Sequence, residues 1–283
     1  MNKMLRLVIL IVGLFAASFV MSATTLRPST TLPAAPGSTA GSRSVASPAP
    51  MPPSTPAVYG VLSLIGDKLT IIVAQPQIGF NLDPNRRRIV PIEEPIFDSI
   101  ALRATVDAVR ATRPAAELAA INTRSPVLFE KQRDLFVENG DVLSVPDAIL
   151  GALQAQQATH LILIAKHRDE TKIQLTNIAD GAGRLEGLGF FLDGSTETRD
   201  AETGHTGRGY ISPYAYFRLT LIELPSRKII SRRNITATMP FTSGRAASGD
   251  DPWTALTPTE KVQAIEALIK REIARVLPGM LTP

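Results

Sequence analysis

Acidic side chains crowd into one stretch of the sequence, residues 193–209, where they could bind a cation or take part in acid–base chemistry. Asp193, Glu197, Asp200 and Glu202 lie there among glycines and hydroxyl-bearing residues. Carboxylate oxygens of this kind bind calcium, but the spacing does not match the Asp-x-Asp-x-Asp-Gly pattern of a calcium loop. The composition is otherwise that of a long mobile hairpin tip, which is the simpler interpretation. Because loops on a rigid sheet carry binding residues, we treat Asp193 and Asp200 as candidate partner-binding residues.

Aromatic side chains follow directly on this stretch and extend the candidate binding surface. Tyr210, Tyr214 and Tyr216 cluster next to the loop. Aromatic rings stack on sugars and peptides, so these tyrosines could present a binding platform; on an alternating strand they would equally form the polar-tipped rim of a core. Trp253, the only tryptophan, follows two acids and precedes the last predicted helix. It is either a recognition anchor or a half-buried contact that holds the start of that helix.

The glycine-rich stretch "GAGRLEGLGFFLDG", residues 181–194, invites comparison with a phosphate-binding loop. A dinucleotide loop needs Gly-x-Gly-x-x-Gly between a strand and a helix. Here Glu186 stands at the third glycine position, and the residues that follow alternate with the period of a strand. The stretch therefore predicts a strand of a hairpin, in which Gly187 and Gly189 let a neighbouring backbone or a large ring lie close to the sheet.

The sequence offers no arrangement typical of a catalytic nucleophile or a metal site. It has no cysteine, which excludes thiolate catalysis and thiolate metal ligands. The three histidines show neither His-x-x-x-His nor His-Glu-x-x-His spacing, and no Gly-x-Ser-x-Gly elbow occurs. We therefore expect a protein that is not an enzyme and binds no cofactor or metal. If it were an enzyme, the carboxylates between residues 193 and 202 would be the first acid–base candidates.

The charge distribution argues against nucleic acid as a partner. The whole chain has a formal net charge of +4, from 30 basic and 26 acidic residues. This excess lies in residues 1–56, whose only charged residues are Lys3, Arg6, Arg27 and Arg43. The remaining residues are balanced, and a neutral domain is poorly suited to follow a phosphate backbone. We interpret the one dense basic run, Arg86-Arg87-Arg88, as a solvated loop.

The first 56 residues are predicted to export and tether the domain that follows them. Residues 1–23 have a basic start, a short apolar run and a small-residue exit, the layout of a secretory signal peptide. Residues 24–56 are rich in Pro, Ser, Thr, Ala and Gly, which is typical of a disordered linker. Residues 57–283 then form a single domain. We expect a protein of the periplasm or cell envelope that contacts the membrane only through its N-terminal segment, if that segment is not cleaved.

Hydrophobic periodicity predicts both strands and helices in the first half of the domain. "YGVLSLIGDKLTIIVA" alternates around Gly66-Asp67 and predicts a β-hairpin with a two-residue turn. "EPIFDSIALRATVDAVRA" predicts a helix with Pro95 in its first turn, and "SVPDAILGALQAQQ" predicts a helix capped by Ser144 in a capping box with Asp147. "AELAAINT" predicts a strand, and "THLILIA" a strand buried in the middle of a sheet.

The second half predicts a hairpin followed by a helix. "YAYFRLTLIEL" and "IISRRNITATM" alternate on either side of a turn at residues 225–228. Thr257 and Glu260 form a capping box around Pro258, and the helix that begins there is expected to stop at Pro278-Gly279. Its predicted core-facing stripe comprises Val262, Ile265, Leu268, Ile269, Ile273 and Val276. The order of elements predicts an α+β fold, a mainly antiparallel sheet with helices packed on one face.

Two of these segments resemble the small periplasmic domains of envelope-assembly proteins. "ALQAQQATHLILIA", a helix leading into a strand, and "LTLIELPSRKIISRR", a later hairpin, are similar to segments of the TolB amino-terminal domain and of the curli-secretion lipoprotein family. The resemblance implies a role in assembly or secretion across the bacterial envelope and no shared catalytic residue. We therefore expect a binding or assembly function with an envelope protein as partner. The alternative is a small-molecule or polysaccharide-binding domain that uses the surface of residues 193–216.

Overall fold

The structure is a computed structural model that describes residues 57–75, 85–175, 178–180, 183–200, 204–245 and 251–282. The predicted signal peptide (residues 1–23) and linker (residues 24–56) lie outside the described residues, as do Gly181 and Glu202 of the two stretches singled out above. Residues 56–283 form one compact unit. Within the described ranges, no helix combines the length and the apolar character needed to cross a membrane.

The domain contains a large mixed sheet and a small separate hairpin. The strands of the first half are β1 (Val58–Leu64), β2 (Lys68–Val73), β3 (Arg86–Pro91), β4 (Glu117–Ile121), β5 (Glu138–Asn139), β6 (Val142–Leu143) and β7 (His160–Lys166). Those of the second half are β8 (Arg168–Glu170), β9 (Ile173–Leu175), β10 (Ile178–Asp180), β11 (Arg184–Arg199), β12 (Thr206–Glu223), β13 (Lys228–Thr238) and β14 (Phe241–Thr242). Of the strands in the described residues, β9 and β10 alone lie outside the large sheet, and they pair with each other.

Helices precede, interrupt and follow the strands. They are α1 (Ile96–Thr112), α2 (Pro126–Glu130), α3 (Gln132–Leu135), α4 (Asp147–Ala155) and α5 (Pro258–Leu281), together with two short 3-10 helices, Ser243–Arg245 and Pro252–Ala255. The predicted fold class, α+β, is confirmed in this coarse sense. The sheet is less antiparallel than predicted, because β1 pairs in parallel with β4 and β7 and β2 pairs in parallel with β11.

The longest strand, β12, organises the sheet. Along one edge it pairs with β11 and then with β7, which lie end to end, and along the other edge it pairs with β13 and β14. The predicted hairpin around residues 225–228 is therefore confirmed as β12–β13. The alternation of β11 is also confirmed, because Leu188 and Phe190 belong to one hydrophobic cluster and Leu185 and Phe191 to another.

The predicted hairpin at Gly66-Asp67 is wrong, because the chain bends there without folding back. β1 and β2 both run antiparallel to β12, one beside β7 and the other beside β11, so they follow the same direction. The carboxylate of Asp98 in α1 holds the bend by accepting the backbone N–H groups of Ile65 at 3.0 Å and Gly66 at 3.2 Å. A Cβ atom on Gly66 would lie 2.6 Å from that carboxylate, so the bend requires glycine.

Helices cover both faces of the sheet, which corrects the prediction of a single covered face. Alternate residues of β1 divide between two clusters: Val61 packs with α1 and α5, whereas Leu62 and Leu64 pack with α2 to α4. β7 divides in the same way, since it is buried on both sides as its sequence predicts. The two-sided burial follows from the position of β1 and β7 in the interior of the sheet.

Helix ends differ from the sequence prediction in two places. At α4 the N-cap position is taken by Pro146, and no side chain caps the helix, so Ser144 does not fill the predicted role. At α5 the predicted capping box of Thr257 and Glu260 is present, but the helix continues through Pro278 to Leu281. Its last turn is held from outside, because the guanidinium of Arg113 donates to the Leu281 carbonyl.

Two segments predicted to be loops are strands. Arg86-Arg87-Arg88 is exposed, as expected, but forms β3 at one edge of the sheet, where charged side chains discourage pairing with another chain. The ladder between β11 and β12 extends to Arg199 and Thr206, with an irregularity between Asp193 and Glu197. Most of the predicted mobile tip is therefore an ordered extension of the hairpin.

Candidate functional site

A polar groove runs along the outer edge of β13. It is lined by Lys172, Gln174, Arg271, Glu272 and Arg275 and by the β13 residues 234–238, and we call this set the edge groove. Its volume is about 440 Å³. Side chains of a strand alternate between the two faces of a sheet, so a cavity on one face would be lined by every second residue. Because five consecutive residues of β13 line this cavity, it lies along the edge of the strand.

The hydrogen-bond pattern of β12 and β13 determines which backbone groups face the edge groove. The Met239 N–H donates to the Pro213 carbonyl at 3.0 Å, which makes this a hydrogen-bonded pair of the ladder. Consistent with this alternation, the Tyr216 carbonyl points the other way and accepts the His167 N–H at 3.1 Å. Thr236, opposite Tyr216, therefore directs its N–H and C=O away from β12 and into the edge groove. By the same alternation Asn234 does so too.

Helix α5 forms one wall of the edge groove. Glu272 is buried, and its two carboxylate oxygens accept from Arg271 at 2.9 Å and from Arg275 at 2.6 Å. The side chains of both arginines are more than half exposed. Because each guanidinium carries five N–H donors, both arginines keep donors available on the groove side. The buried carboxylate thus holds two cations in place at the wall.

The segment between β8 and β9 forms the opposite wall, and Tyr216 positions it. The Tyr216 hydroxyl donates to the Glu170 carbonyl at 3.2 Å and accepts the Lys172 N–H at 3.0 Å. The Thr238 hydroxyl donates to the Lys172 carbonyl at 3.1 Å. The exposed Lys172 ammonium, paired with Asp169 at 3.1 Å, is thereby fixed beside the end of β13. Tyr216, singled out by sequence as a binding ring, is here a positioning residue.

The rings of the three candidate tyrosines lie in the interior of the protein. Tyr210, Tyr214 and Tyr216 each have 0% exposure and belong to a hydrophobic cluster with Phe191 and Ile72. Tyr214 and Tyr216 meet edge to face with centroids 5.8 Å apart. The Tyr214 hydroxyl donates to the Thr70 carbonyl at 3.2 Å, and burial raises the pKa of Tyr214 well above its ordinary value. The sequence left open whether these rings form a binding platform or belong to the core. In the structure they belong to the core.

The two candidate carboxylates are buried in turns of the β11–β12 hairpin and are not brought together with the edge groove. One Asp193 oxygen accepts from the Ser195 N–H at 2.5 Å, the Ser195 hydroxyl at 2.8 Å and the Thr196 N–H at 2.9 Å. Asp200 accepts from the Thr242 hydroxyl at 3.2 Å. The Asp193 carboxylate therefore stabilises the backbone of its own turn, which is the usual role of aspartate there, whereas Asp200 links the hairpin to β14.

We expect Asp193→Ala to weaken the hairpin rather than abolish binding. The change leaves two backbone N–H groups without their carboxylate acceptor, at a cost of about 1–2 kcal/mol in the free energy of unfolding. Urea unfolding of the variant would measure this cost, and partner recovery from cells would be unchanged. If Asp193→Ala had the stability of the wild type but no longer recovered the partner from cells, Asp193 would instead belong to the binding site.

Trp253 is a half-buried contact between the start of α5 and the sheet. Its ring meets Phe190 edge to face at 5.6 Å, and the Lys261 ammonium lies 4.2 Å from the ring centroid. The same ammonium donates to the Trp253 carbonyl at 2.7 Å. Burial lowers the pKa of Lys261, and its contacts with Trp253 offset that penalty. The described contacts of Trp253 are thus structural.

A second, smaller cavity of about 260 Å³ lies beside the paired strands β2 and β11 and is lined in part by Lys68, Arg87 and Lys166. The Lys166 ammonium is buried and paired with Asp67, whose charge opposes the lowering of the Lys166 pKa by burial. This ion pair ties the end of β7 to the bend between β1 and β2, so Lys166 is not a free nucleophile. The described residues contain no group of three or more His, Asp or Glu placed to hold a metal ion.

Sequence reasoning missed the residues that line the edge groove. Lys172, Arg271 and Arg275 are single charges in segments whose patterns predict only a turn and a helix. The signal that could have pointed to them is the polar run Arg232-Arg233-Asn234 within an otherwise alternating strand, which is typical of an edge strand.

Comparison with known proteins found no matching family model and no matching curated protein. Solved structures with partial likeness include a Xanthomonas campestris protein of family DUF330, with 10% identity and a TM-score of 0.35 over 81% of this chain and 88% of that one. A neuraminyllactose-binding hemagglutinin homolog from Helicobacter pylori has 8% identity and a TM-score of 0.33 over 82% and 86%. A hypothetical protein from Chlamydia trachomatis has 11% identity and a TM-score of 0.30 over 80% and 98%.

Proposed function

We propose that this chain is an exported, non-enzymatic protein of the bacterial envelope that acts by binding or assembling another envelope protein. The observation that carries the proposal is the edge groove, which is open, polar and lined by backbone groups of a strand together with basic side chains. Small-molecule sites are more enclosed and mostly apolar, whereas strand edges recognise other polypeptides. The predicted signal peptide and the resemblance to envelope-assembly domains support the location.

The alternative, a small-molecule or polysaccharide-binding domain at residues 193–216, has less support. Its proposed aromatic platform consists of Tyr210, Tyr214 and Tyr216, whose rings are buried. Its carboxylates, Asp193 and Asp200, accept hydrogen bonds from their own hairpin and from Thr242. A ligand at this surface would have to displace those contacts.

We expect crosslinking in intact cells to recover the partner, and we expect the linker to be needed for its recovery. The full chain with a C-terminal tag would be compared with a variant that keeps residues 1–23 and lacks residues 24–56. If the linker provides reach across the envelope, the deletion should lower recovery of a reproducible protein partner by about tenfold or more, since a linker that cannot span the distance removes the encounter.

One result would contradict the proposed function and another would contradict only the role of the linker. Recovery of no protein partner from either form would argue for a small ligand or glycan instead. Equal recovery from both forms would retain the binding function but remove the role of the linker. Immunoblotting both forms in periplasmic and membrane fractions controls for a failure of export.

A further inference from the structure

Among the residues that the structure describes, none forms a partner strand along most of the outer edge of β13. Within the described residues its outward backbone contacts lie at its start, where Lys228 pairs with Val142 of β6 and the Ile229 N–H donates to the Asp141 carbonyl at 2.6 Å. From Asn234 onward the outward N–H and C=O groups open into the edge groove. Unpaired backbone groups of this kind form a template for one additional strand.

We propose that an extended, acidic segment of a partner protein binds in the edge groove by adding to β13 as a further strand. This inference rests on the proposed binding function and specifies its site and the chemistry of its ligand. The partner's backbone pairs with the outward groups of Asn234 and Thr236. Five groove-lining residues of β13 correspond to about 16 Å of strand, which is enough for a short peptide segment.

The charges of the edge groove select an acidic segment. Three of its lining residues are basic, Lys172, Arg271 and Arg275, and one, Glu272, is acidic and already engaged by both arginines. A peptide with carboxylates on alternate residues would place them toward one wall, where exposed guanidinium groups bind carboxylates in two-point contacts. The net charge of the wall residues, +2, disfavours a basic peptide.

The same charges argue against a second copy of this chain as the occupant. A second copy would bring an edge groove whose wall residues have the same net charge, +2, against this one. Like charges opposite one another on neighbouring strands are destabilising. Charged side chains on an edge strand prevent self-association while leaving the backbone available to a complementary partner.

The test uses photocrosslinking from two matched positions in the full chain. A photoreactive residue replaces Gln174 in the edge groove or, as control, Gln154 on α4; both side chains are exposed, and Gln154 does not line the groove. After irradiation of intact cells, the captured segment is sequenced by mass spectrometry. We expect capture from position 174 alone, and we expect the captured segment to be rich in Asp and Glu.

A pair of substitutions at Thr236 tests strand addition itself. Thr236→Pro removes the outward N–H and places a ring in the edge groove, whereas Thr236→Val keeps the N–H and the shape of the side chain. We expect proline to lower the crosslink yield from position 174 by about tenfold and valine to leave it unchanged, since one lost hydrogen bond plus a steric conflict is worth about one factor of ten. Thermal unfolding of both variants checks that they remain folded.

A second substitution keeps the test decisive if the proline variant does not fold. Lys172→Glu reverses one wall charge without changing the backbone of β13, and Lys131→Glu makes the same change at an exposed position outside the edge groove. Only the first should lower the yield, and the loss should be greatest at low salt. A yield insensitive to both Thr236→Pro and Lys172→Glu would overturn strand addition.

The remaining outcomes separate this inference from the proposed function. If the tagged wild-type chain recovers a partner but position 174 captures nothing, the edge groove is not the site and the binding function stands. A captured segment that is basic or apolar overturns the acidic ligand. If neither the tagged chain nor any photoreactive position recovers a protein, the proposed function itself fails.

Discussion

Replacing Gly189 with alanine is expected to lower the free energy of unfolding by about 3 kcal/mol, near the upper end for overpacking of a well-packed site. A Cβ atom at this position would lie 2.0 Å from the Thr70 carbonyl oxygen and 2.6 Å from the Tyr214 hydroxyl. The first contact is with backbone, so β2 and β11 would have to separate. Their separation would also disturb the hydrogen bond from Tyr214 to Thr70. Urea unfolding of the mature chain would measure the loss.

Gly194→Ala provides the control for this prediction within the same strand. Nothing lies within 4 Å of a Cβ atom at Gly194, which is exposed. Its stability should equal or slightly exceed that of the wild type, because alanine reduces the conformational freedom of the unfolded chain. Equal stability of the Gly189 and Gly194 variants would show that β2, β11 and the Tyr214 ring do not approach as closely as the structure places them.

The role of the glycine-rich stretch could be predicted from sequence because its decisive features are local. Leu185 and Phe191 alternate with Leu188 and Phe190, and this pattern indicates a strand that is buried on both faces. Glu186 at the third glycine position already excludes the dinucleotide-binding motif from the sequence alone. The close approach at Gly189 confirms the packing interpretation. What sequence could not supply was the identity of the neighbour, Thr70, since strand order in a sheet is not a local property.

The bend between β1 and β2 shows how a distant contact overrides a local turn signal. Gly66-Asp67 between two alternating segments is a strong hairpin pattern. The outcome is decided by Asp98, which accepts the N–H groups just before and at the glycine, and by Lys166, which pairs with Asp67. Both partners come from elements that pack against the bend only in the folded chain. The sequence of residues 58–74 alone therefore cannot show that the chain bends here without forming a hairpin.

The candidate site was hidden for a related reason. Sequence correctly identified β13 as a strand, but a strand offers a binding edge only where no further strand pairs beside it, and β6 pairs with β13 only at Lys228. The walls come from Lys172, about sixty residues before β13, and from Arg271 and Arg275 of α5. Tyr216 was singled out for its aromatic ring, yet its hydroxyl, by holding the backbone at Glu170 and Lys172, is what shapes one wall. The ring itself is buried, so it is not exposed at the surface beside the acidic stretch that its position in the sequence suggested.

Removing the Asp98 carboxylate is expected to cost about 3–4 kcal/mol. Asp98 is buried and accepts from the Ser63 hydroxyl at 2.6 Å and from the N–H groups of Ile65 and Gly66. Asp98→Ala leaves all three donors in the interior without an acceptor, and each unsatisfied group carries a penalty of about 1–3 kcal/mol. Asp107→Ala, an exposed position on the same helix, should change stability by no more than about 0.5 kcal/mol. Equal effects of the two changes would contradict the role of the Asp98 carboxylate in holding the bend between β1 and β2.

The pH dependence of the free energy of unfolding, compared between the wild type and Asp98→Asn, tests the same contacts of Asp98 through the charge of its carboxyl group. Burial raises the pKa of Asp98 above its ordinary value of 3.8, so the folded protein binds this proton more readily than the unfolded chain does. The stability contributed by the carboxyl is therefore fully present below about pH 3.8 and is lost as the pH rises through the folded-state pKa. Asparagine does not titrate, so the difference in unfolding free energy between wild type and variant should shrink as the pH rises from about 3.8 through the folded-state pKa of Asp98. A difference that grows over this range would show that hydrogen bonds from Ser63, Ile65 and Gly66 outweigh burial and hold the carboxylate in its charged form.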